Sequence, residues 1–200
     1  FVYNGAGMES WVEQVLDSAS GSKLVTVEAS KGLEIMEGTE EEEAHAEGES
    51  DNHDHAEEDH DHADEAHAEE EPGHVHDHGG LDPHVWLSPA LAIKEVRTIE
   101  AALSAASPEN AAAFQTNADN YVAKLEQLDQ DFEDGLAGTK RTDFITQHAA
   151  FSYLAKEYGL TQVPIAGLSP EQEPSAAQMA EIVEFAKAHD VKTIFFETLV

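Results

Sequence analysis

Phe144-Ile145-Thr146-Gln147-His148-Ala149-Ala150-Phe151-Ser152-Tyr153-Leu154 passes from strand to helix within eleven residues. Phe144 to Gln147 reads as a strand, whereas Phe151, Leu154, Ala155 and Tyr158 return at helical spacing until Gly159 stops them. Gln162 to Ala166 reads as the next strand. Ser175 and Gln178 form a capping-box pair that opens a helix through Ile182, Val183 and Phe185, and Lys192 to Phe196 reads as a third strand. Strands and helices alternating in this way predict the α/β class, a parallel sheet with helices on both faces.

The same logic extends upstream. Phe1 to Tyr3 reads as a strand end, turned by Asn4, Gly5 and Gly7 into a short helix with Trp11, Val12, Val15 and Leu16 on one face; Leu24 to Val27 reads as the following strand. In Leu81-Asp82-Pro83-His84-Val85-Trp86-Leu87-Ser88-Pro89, Ser88 can cap a helix whose first position suits Pro89, and Ala92, Val96, Ile99 and Leu103 then form its stripe. Ser107-Pro108 repeats the device and opens a longer helix with Phe114, Ala118, Tyr121, Leu125, Leu128, Phe132 and Leu136 in register. Running to Gly138, it would be roughly 45 Å long at 1.5 Å per residue, enough to bridge two lobes.

Residues 40–80 break this pattern with nine histidines and eighteen acids and not one Lys or Arg. The tract has almost no apolar residues, so ordering it would cost entropy that burial cannot offset, and a disordered loop inserted between ordered elements is expected. Formal net charge is -32, yet outside the tract the balance is twenty-four acids against ten basic residues, that of an ordinary acidic protein. Such a surface excludes nucleic acid and anionic membranes as partners and attracts cations. No apolar run has the length of a membrane span, and the absence of cysteine removes thiolate zinc sites, disulfides and thiol catalysis together. Both ends fall on apolar strand-like runs, which suggests a fragment of a longer chain.

Two histidines stand where site chemistry is plausible. His148 follows directly on a strand and so lies at its carboxyl end, where open parallel sheets bind ligands, and His84 sits on a short loop stiffened by Pro83. One imidazole from each of two lobes is what a metal held in a cleft requires. Either position also suits a capping or hydrogen-bonding histidine, and His189, at a helix end, is explained by the helix dipole.

Asp82-Pro83-His84-Val85-Trp86-Leu87-Ser88-Pro89 and Thr146-Gln147-His148-Ala149-Ala150-Phe151-Ser152-Tyr153-Leu154 resemble the paired metal-ligand motifs of the solute-binding proteins of zinc and manganese ABC importers. Phe1 to Trp11, the long helix and Pro174-Ser175 fit that family in order and spacing. The resemblance implies a two-lobed α/β receptor: an N-terminal lobe over 1–106 containing the 40–80 loop, an interdomain helix over 107–138, and a C-terminal lobe over 139–200. It also implies that His84 and His148 ligate the metal, with one further histidine upstream and a fourth ligand, where there is one, downstream. Glu197 closes a strand and is a further candidate, although the family's last carboxylate ligand lies well beyond it. The implied partner is an ABC permease in the membrane, and the implied location is extracytoplasmic, periplasmic or lipid-anchored on the outer face of the cytoplasmic membrane, with the receptor a monomer.

A histidine at 148, where manganese-type relatives carry glutamate, favours Zn(II); manganese or another divalent cation is the alternative. Two rival classes stand beside the receptor. A surface adhesin could coexist with transport, whereas a zinc-dependent hydrolase would want a signature such as His-Glu-x-x-His, which is absent. There is also no phosphate-binding Gly-x-x-x-x-Gly-Lys loop, and Gly5-Ala6-Gly7 is too short for a dinucleotide turn.

Within the tract, His53-Asp54-His55, His60-Asp61-His62 and His74-Val75-His76-Asp77-His78 repeat a unit whose imidazoles can close on one cation, with His45 and His67 completing the set. Each such site must order a flexible chain, so it is expected to bind more weakly than a preformed cleft and to act as an accessory zinc collector; a solvated acidic loop with incidental affinity is the plain alternative. Deleting residues 40–80 should therefore lower the number of zinc ions bound while sparing the tightest site. The extra binding should fade below about pH 6.5 as the imidazoles protonate. An unchanged stoichiometry by calorimetry would contradict the collecting role.

Overall fold

The structure, a computed structural model, describes residues 1–21, 23–38 and 80–197. The expected loop over 40–80, with His45, His53, His55, His60, His62, His67, His74, His76 and His78, lies outside the described residues except for Gly80.

At the amino end β1 (Val2–Tyr3) and β2 (Val27–Glu28) pair in parallel, joined by α1 (Val12–Ser18). Tight packing explains the turn after β1. Gly5 has φ of 88°, and a Cβ there would meet Glu28 Cγ at 2.5 Å and Ser30 Oγ at 2.7 Å. The strand expected over Leu24 to Val27 is shifted toward its carboxyl end, because β1 offers a ladder partner mainly to Val27 and Glu28 while Leu24 and Val25 stay exposed. Of the apolar face expected on α1, Val12 is buried and Trp11 is exposed, its ring lying instead near that of Phe1.

A 3-10 turn (Val85–Leu87) leads into α2 (Pro89–Ala106), capped as expected: Ser88 Oγ accepts the Leu91 N–H at 3.2 Å, and Pro89 occupies the first position. The long helix begins differently. Ser107-Pro108 opens a 3-10 turn (Pro108–Asn110), and α3 (Ala111–Leu136) follows with 26 residues, about 39 Å at 1.5 Å per residue. Its buried positions are Ala118 and Val122, whereas Tyr121 is exposed, so the inward face is displaced by one residue from the expected stripe there. Ala118 is buried, and Arg97 of α2 pairs with Asp119 of α3 at 2.7 Å. Further along, Phe132 stacks on Tyr158 with ring centroids 5.0 Å apart, and the Tyr158 hydroxyl donates to Asp129. One helix thus touches both halves of the described chain.

The carboxyl half is a three-stranded parallel sheet in the order β4 (Thr161–Pro164), β3 (Asp143–Thr146), β5 (Ile194–Phe195), with α4 (Ser152–Tyr158) and α5 (Ala176–Ala188) as crossovers. This agrees with the strand-helix alternation in the sequence. Ile145, at the centre of β3, has no exposed surface, and the Ser175–Gln178 capping box is present at the start of α5. Gly159 ends α4 in the left-handed conformation, with φ of 66°.

Glu95, on α2, is buried, and its Oε1 has no hydrogen-bond partner among the described residues. Burial pushes its carboxyl up to about 7. A folded-state value above the unfolded one means that the folded chain holds the proton more tightly; the associated stability is full below about pH 4.5 and is lost as pH rises through 7. The whole shift corresponds to at most about 3 kcal/mol at 1.36 kcal/mol per unit, and solvent screening lowers it. Glu95→Gln is expected to flatten the decline in urea midpoint between pH 5 and pH 8 and to raise the midpoint at pH 8; an unchanged decline would show that the carboxyl is not held protonated.

Candidate metal centre

The Asp82-Pro83-His84 loop is held from four directions. Asp82 has no exposed surface, and its Oδ1 accepts the His84 backbone N–H at 3.0 Å and lies 2.8 Å from His84 Nδ1. A short carboxylate side chain taking the N–H two residues on is an Asx turn, and here the same oxygen also holds the imidazole. The Pro83 carbonyl accepts from Asn4 Nδ2 at 3.0 Å, and the carboxylate of Glu9 secures Asn4 and Gly5 by accepting both backbone N–H groups. The Asp82 N–H donates to the Met36 carbonyl at 2.9 Å, and the Asp82 carbonyl accepts the Tyr153 hydroxyl at 2.7 Å. Asp82 Oδ2 has no partner among the described residues, so desolvation of this carboxylate is a cost the loop bears in order to keep Oδ1 on His84.

His148 leaves the carboxyl end of the central strand β3, as the sequence predicts. Its carbonyl accepts from Thr146 Oγ1 at 2.8 Å and from Gln162 Nε2 at 2.9 Å, and Gln162 also takes the Phe151 N–H. The Ala149 N–H donates to the Gly167 carbonyl. On the ring, Nδ1 lies 2.8 Å from Glu197 Oε1, an ion-pair distance without the alignment of a hydrogen bond. Glu197 is placed by its own backbone N–H, which donates to Gln147 Oε1 at 3.1 Å. Burial pushes the His148 imidazolium below its ordinary value, against the opposing pull of Glu197, and the nearby His84 lowers it further. The neutral ring is the ligating form.

The two histidines meet. Their ring centroids are 5.4 Å apart at an interplanar angle of 65°, both residues are buried, and the half-exposed Trp86 ring lies 5.4 Å from His84. Imidazoles bound to one tetrahedral zinc through nitrogens at about 2.0–2.1 Å would have centroids roughly 5 Å apart, so the pair has the spacing of two ligands of one ion. Each Nδ1 faces a carboxylate, which leaves Nε2 as the nitrogen available to a cation; carboxylate-braced imidazole is the usual outer arrangement at zinc. Among the described residues no group of three or more His, Cys, Asp or Glu side chains converges as a metal site. Two nitrogens therefore make a partial site.

A family model described as zinc-uptake complex component A, periplasmic, matches residues 1–200. The chain belongs to the ZnuA family. It is 46% identical over 199 residues to the high-affinity zinc uptake system protein ZnuA of Bacillus subtilis, covering 100% of this chain and 55% of that protein. It is 43% identical over 197 residues to the zinc-binding lipoprotein AdcA of Streptococcus pneumoniae, covering 98% of this chain and 34% of that one. Among solved structures, a Zn(II)-bound mutant variant of AdcAII from Streptococcus pneumoniae superposes with a TM-score of 0.74 at 34% identity, over 100% of this chain and 64% of that one. The chain thus spans about a third to two thirds of the length of these ZnuA-family relatives.

The residues singled out from sequence divide clearly in space. His84 and His148 are brought together, and Glu197 reaches the same place, but with its carboxylate on His148 Nδ1. Glu197, a candidate ligand from sequence, thus stands 2.8 Å from His148 Nδ1. His189 stacks on Phe185 with centroids 4.1 Å apart, at the end of α5. Sequence reasoning gave Asp82, Asn4, Gln162 and Tyr153 no role of their own. The Asp-Pro-His order was a usable signal for Asp82, since an Asx turn needs a carboxylate two residues before the N–H it accepts; nothing local marks the other three, whose partners are distant in sequence.

Proposed function

We propose that this chain is part of an extracytoplasmic zinc receptor that captures Zn(II) between His84 and His148 and delivers it to an ABC permease. The observation that carries the reading is the buried imidazole pair, 5.4 Å between centroids, with each Nδ1 backed by a carboxylate. A neutral, nitrogen-rich pair suits borderline-soft Zn(II) better than Mn(II). The zinc-uptake description of the family and the Zn(II)-bound relative support the same cargo. The periplasmic family description and the lipoprotein relative support a site of action outside the cytoplasm, either free or lipid-anchored.

In this reading the N-terminal lobe is 1–106, the helix over 107–138 is the stiff spine, and 139–200 belongs to the C-terminal lobe. Capture is then a matter of filling a partly pre-set cleft, since Asp82 already holds the His84 ring and Glu197 stands 2.8 Å from His148 Nδ1. The acidic histidine tract is an accessory collector. No group here is asked to perform a bond-breaking step, so the role is that of a binding protein.

Zinc and manganese titrations of the intact protein test the assignment. His84→Ala and His148→Ala are each expected to weaken the tightest zinc site by more than about 100-fold, a larger loss than removal of an outer-sphere partner gives, with zinc preferred over manganese in the unmutated protein. Unchanged high-affinity binding in both variants would refute the site.

A further inference from the structure

Tyr153 lies in the first turn of α4, five residues after His148, and is only 4% exposed. Its hydroxyl donates to the Asp82 carbonyl at 2.7 Å and accepts the Met36 N–H at 2.8 Å. These partners come from the two segments that flank the acidic histidine tract. Glu37 and Leu81 form an antiparallel bridge, the Gly38 N–H donates to the Gly80 carbonyl at 2.6 Å, and the Asp82 N–H returns to the Met36 carbonyl at 2.9 Å. The described segments on either side of residues 39–79 thus form a short two-stranded stem, whose inner end is Met36 and Asp82. Asp82 is also the residue that holds His84.

We propose that Tyr153 is a positioning residue for the metal centre, joining the stem of the acidic histidine tract to the His84 imidazole through Asp82. The proposal rests on the zinc-receptor reading above. One hydroxyl satisfies a donor from one stem segment and an acceptor from the other, so the stem and the Asp82-Pro83-His84 loop share a single buried hydrogen-bond network. Because Tyr153 and His148 are carried by the same strand-to-helix connection, the hydroxyl also sets where the His84 loop lies relative to His148. A change at Met36 reaches the His84 ring through three hydrogen bonds by way of the Tyr153 hydroxyl, and through two by way of the Met36 carbonyl and the Asp82 N–H. Phenylalanine at 153 would keep the ring but leave a part-buried N–H and a buried carbonyl each one partner short.

The test uses the intact protein, unmutated and as Tyr153→Phe, His84→Ala and Gly38→Val. A Cβ at Gly38 would meet the Gly80 backbone oxygen at 3.3 Å as well as the movable end of Leu168, Cδ1 at 2.5 Å, so the last variant crowds the Gly38–Gly80 pair of the stem while Tyr153 and both histidines stay unsubstituted. Zinc affinity is read by competition with a chromophoric chelator, and, in the metal-free protein, nitrogen NMR reads the His84 tautomer and hydrogen exchange reads the Met36 amide. Tyr153→Phe is expected to lower zinc affinity about 10-fold, the size of effect typical of an outer-sphere partner, to mix the His84 tautomers and to speed Met36 exchange. Gly38→Val is expected to move affinity and the His84 signals in the same direction. A folded Tyr153→Phe protein with unchanged zinc affinity and unchanged His84 signals overturns the proposal. If that variant fails to fold, Gly38→Val decides, and unchanged values for it overturn the proposal. Should His84→Ala leave zinc binding intact, the receptor reading fails at this site, and the His84 and Met36 signals in the metal-free protein still decide whether the joint exists.

Discussion

A carboxylate with no exposed surface controls the centre of this molecule. Asp82 Oδ1 holds both the backbone N–H and the Nδ1 of His84, while its own backbone N–H and carbonyl are taken by Met36 and Tyr153. A histidine on a free loop would sample rotamers and both tautomers, and a metal would have to order it on binding. Here the ring is already oriented with Nε2 as its available nitrogen, so under the proposed receptor reading the ordering cost would fall on folding of the chain and not on capture of an ion. The unpartnered Oδ2 is the visible cost of that arrangement.

The second ring is supplied by a different physical device. A parallel strand must end at the edge of its sheet, and β3, flanked by β4 and β5, delivers His148 at that edge with its backbone clamped by Thr146 and Gln162. The neighbouring strand β5 then returns Glu197 to the same edge, two residues past its end, where the carboxylate faces His148 Nδ1. Packing of α3 against both α2 and α4, through Ala118 and through the Phe132–Tyr158 stack, fixes the frame on which these two loops are mounted. Placement of two imidazoles 5.4 Å apart therefore follows from sheet topology, helix packing and one Asx turn acting together.

Features governed by near neighbours along the chain can be read directly from the amino-acid sequence. The strand-helix alternation from Phe144 onward, the Ser88 cap with Pro89, the Ser175–Gln178 capping box and the exit of His148 from a strand all depend on residues within a few positions of one another. The Ser107-Pro108 start became a 3-10 turn, with the Ser107 hydroxyl donating to Glu109 Oε1 and making no capping bond to the helix backbone. Tyr121 and Val122 exchanged roles on α3, since which side of a helix is inward is decided by the partner helix and not by the stripe alone. The site divides in the same way. His84 and His148 could be picked out by position and motif, whereas the Tyr153 hydroxyl, the Asn4 amide and the approach of Glu197 to His148 Nδ1 depend on contacts between residues 49 to 117 apart in sequence, which no local pattern encodes.

Anomalous diffraction at the zinc edge, from crystals of the intact protein loaded with one equivalent of zinc, would show directly whether the two braced imidazoles share one ion. A single strong peak is expected about 2.0–2.1 Å from Nε2 of both His84 and His148, with Asp82 and Glu197 remaining on the Nδ1 side of their rings. A zinc ion bound away from either imidazole, or held by the Glu197 carboxylate in place of His148, would contradict a site built on the two rings.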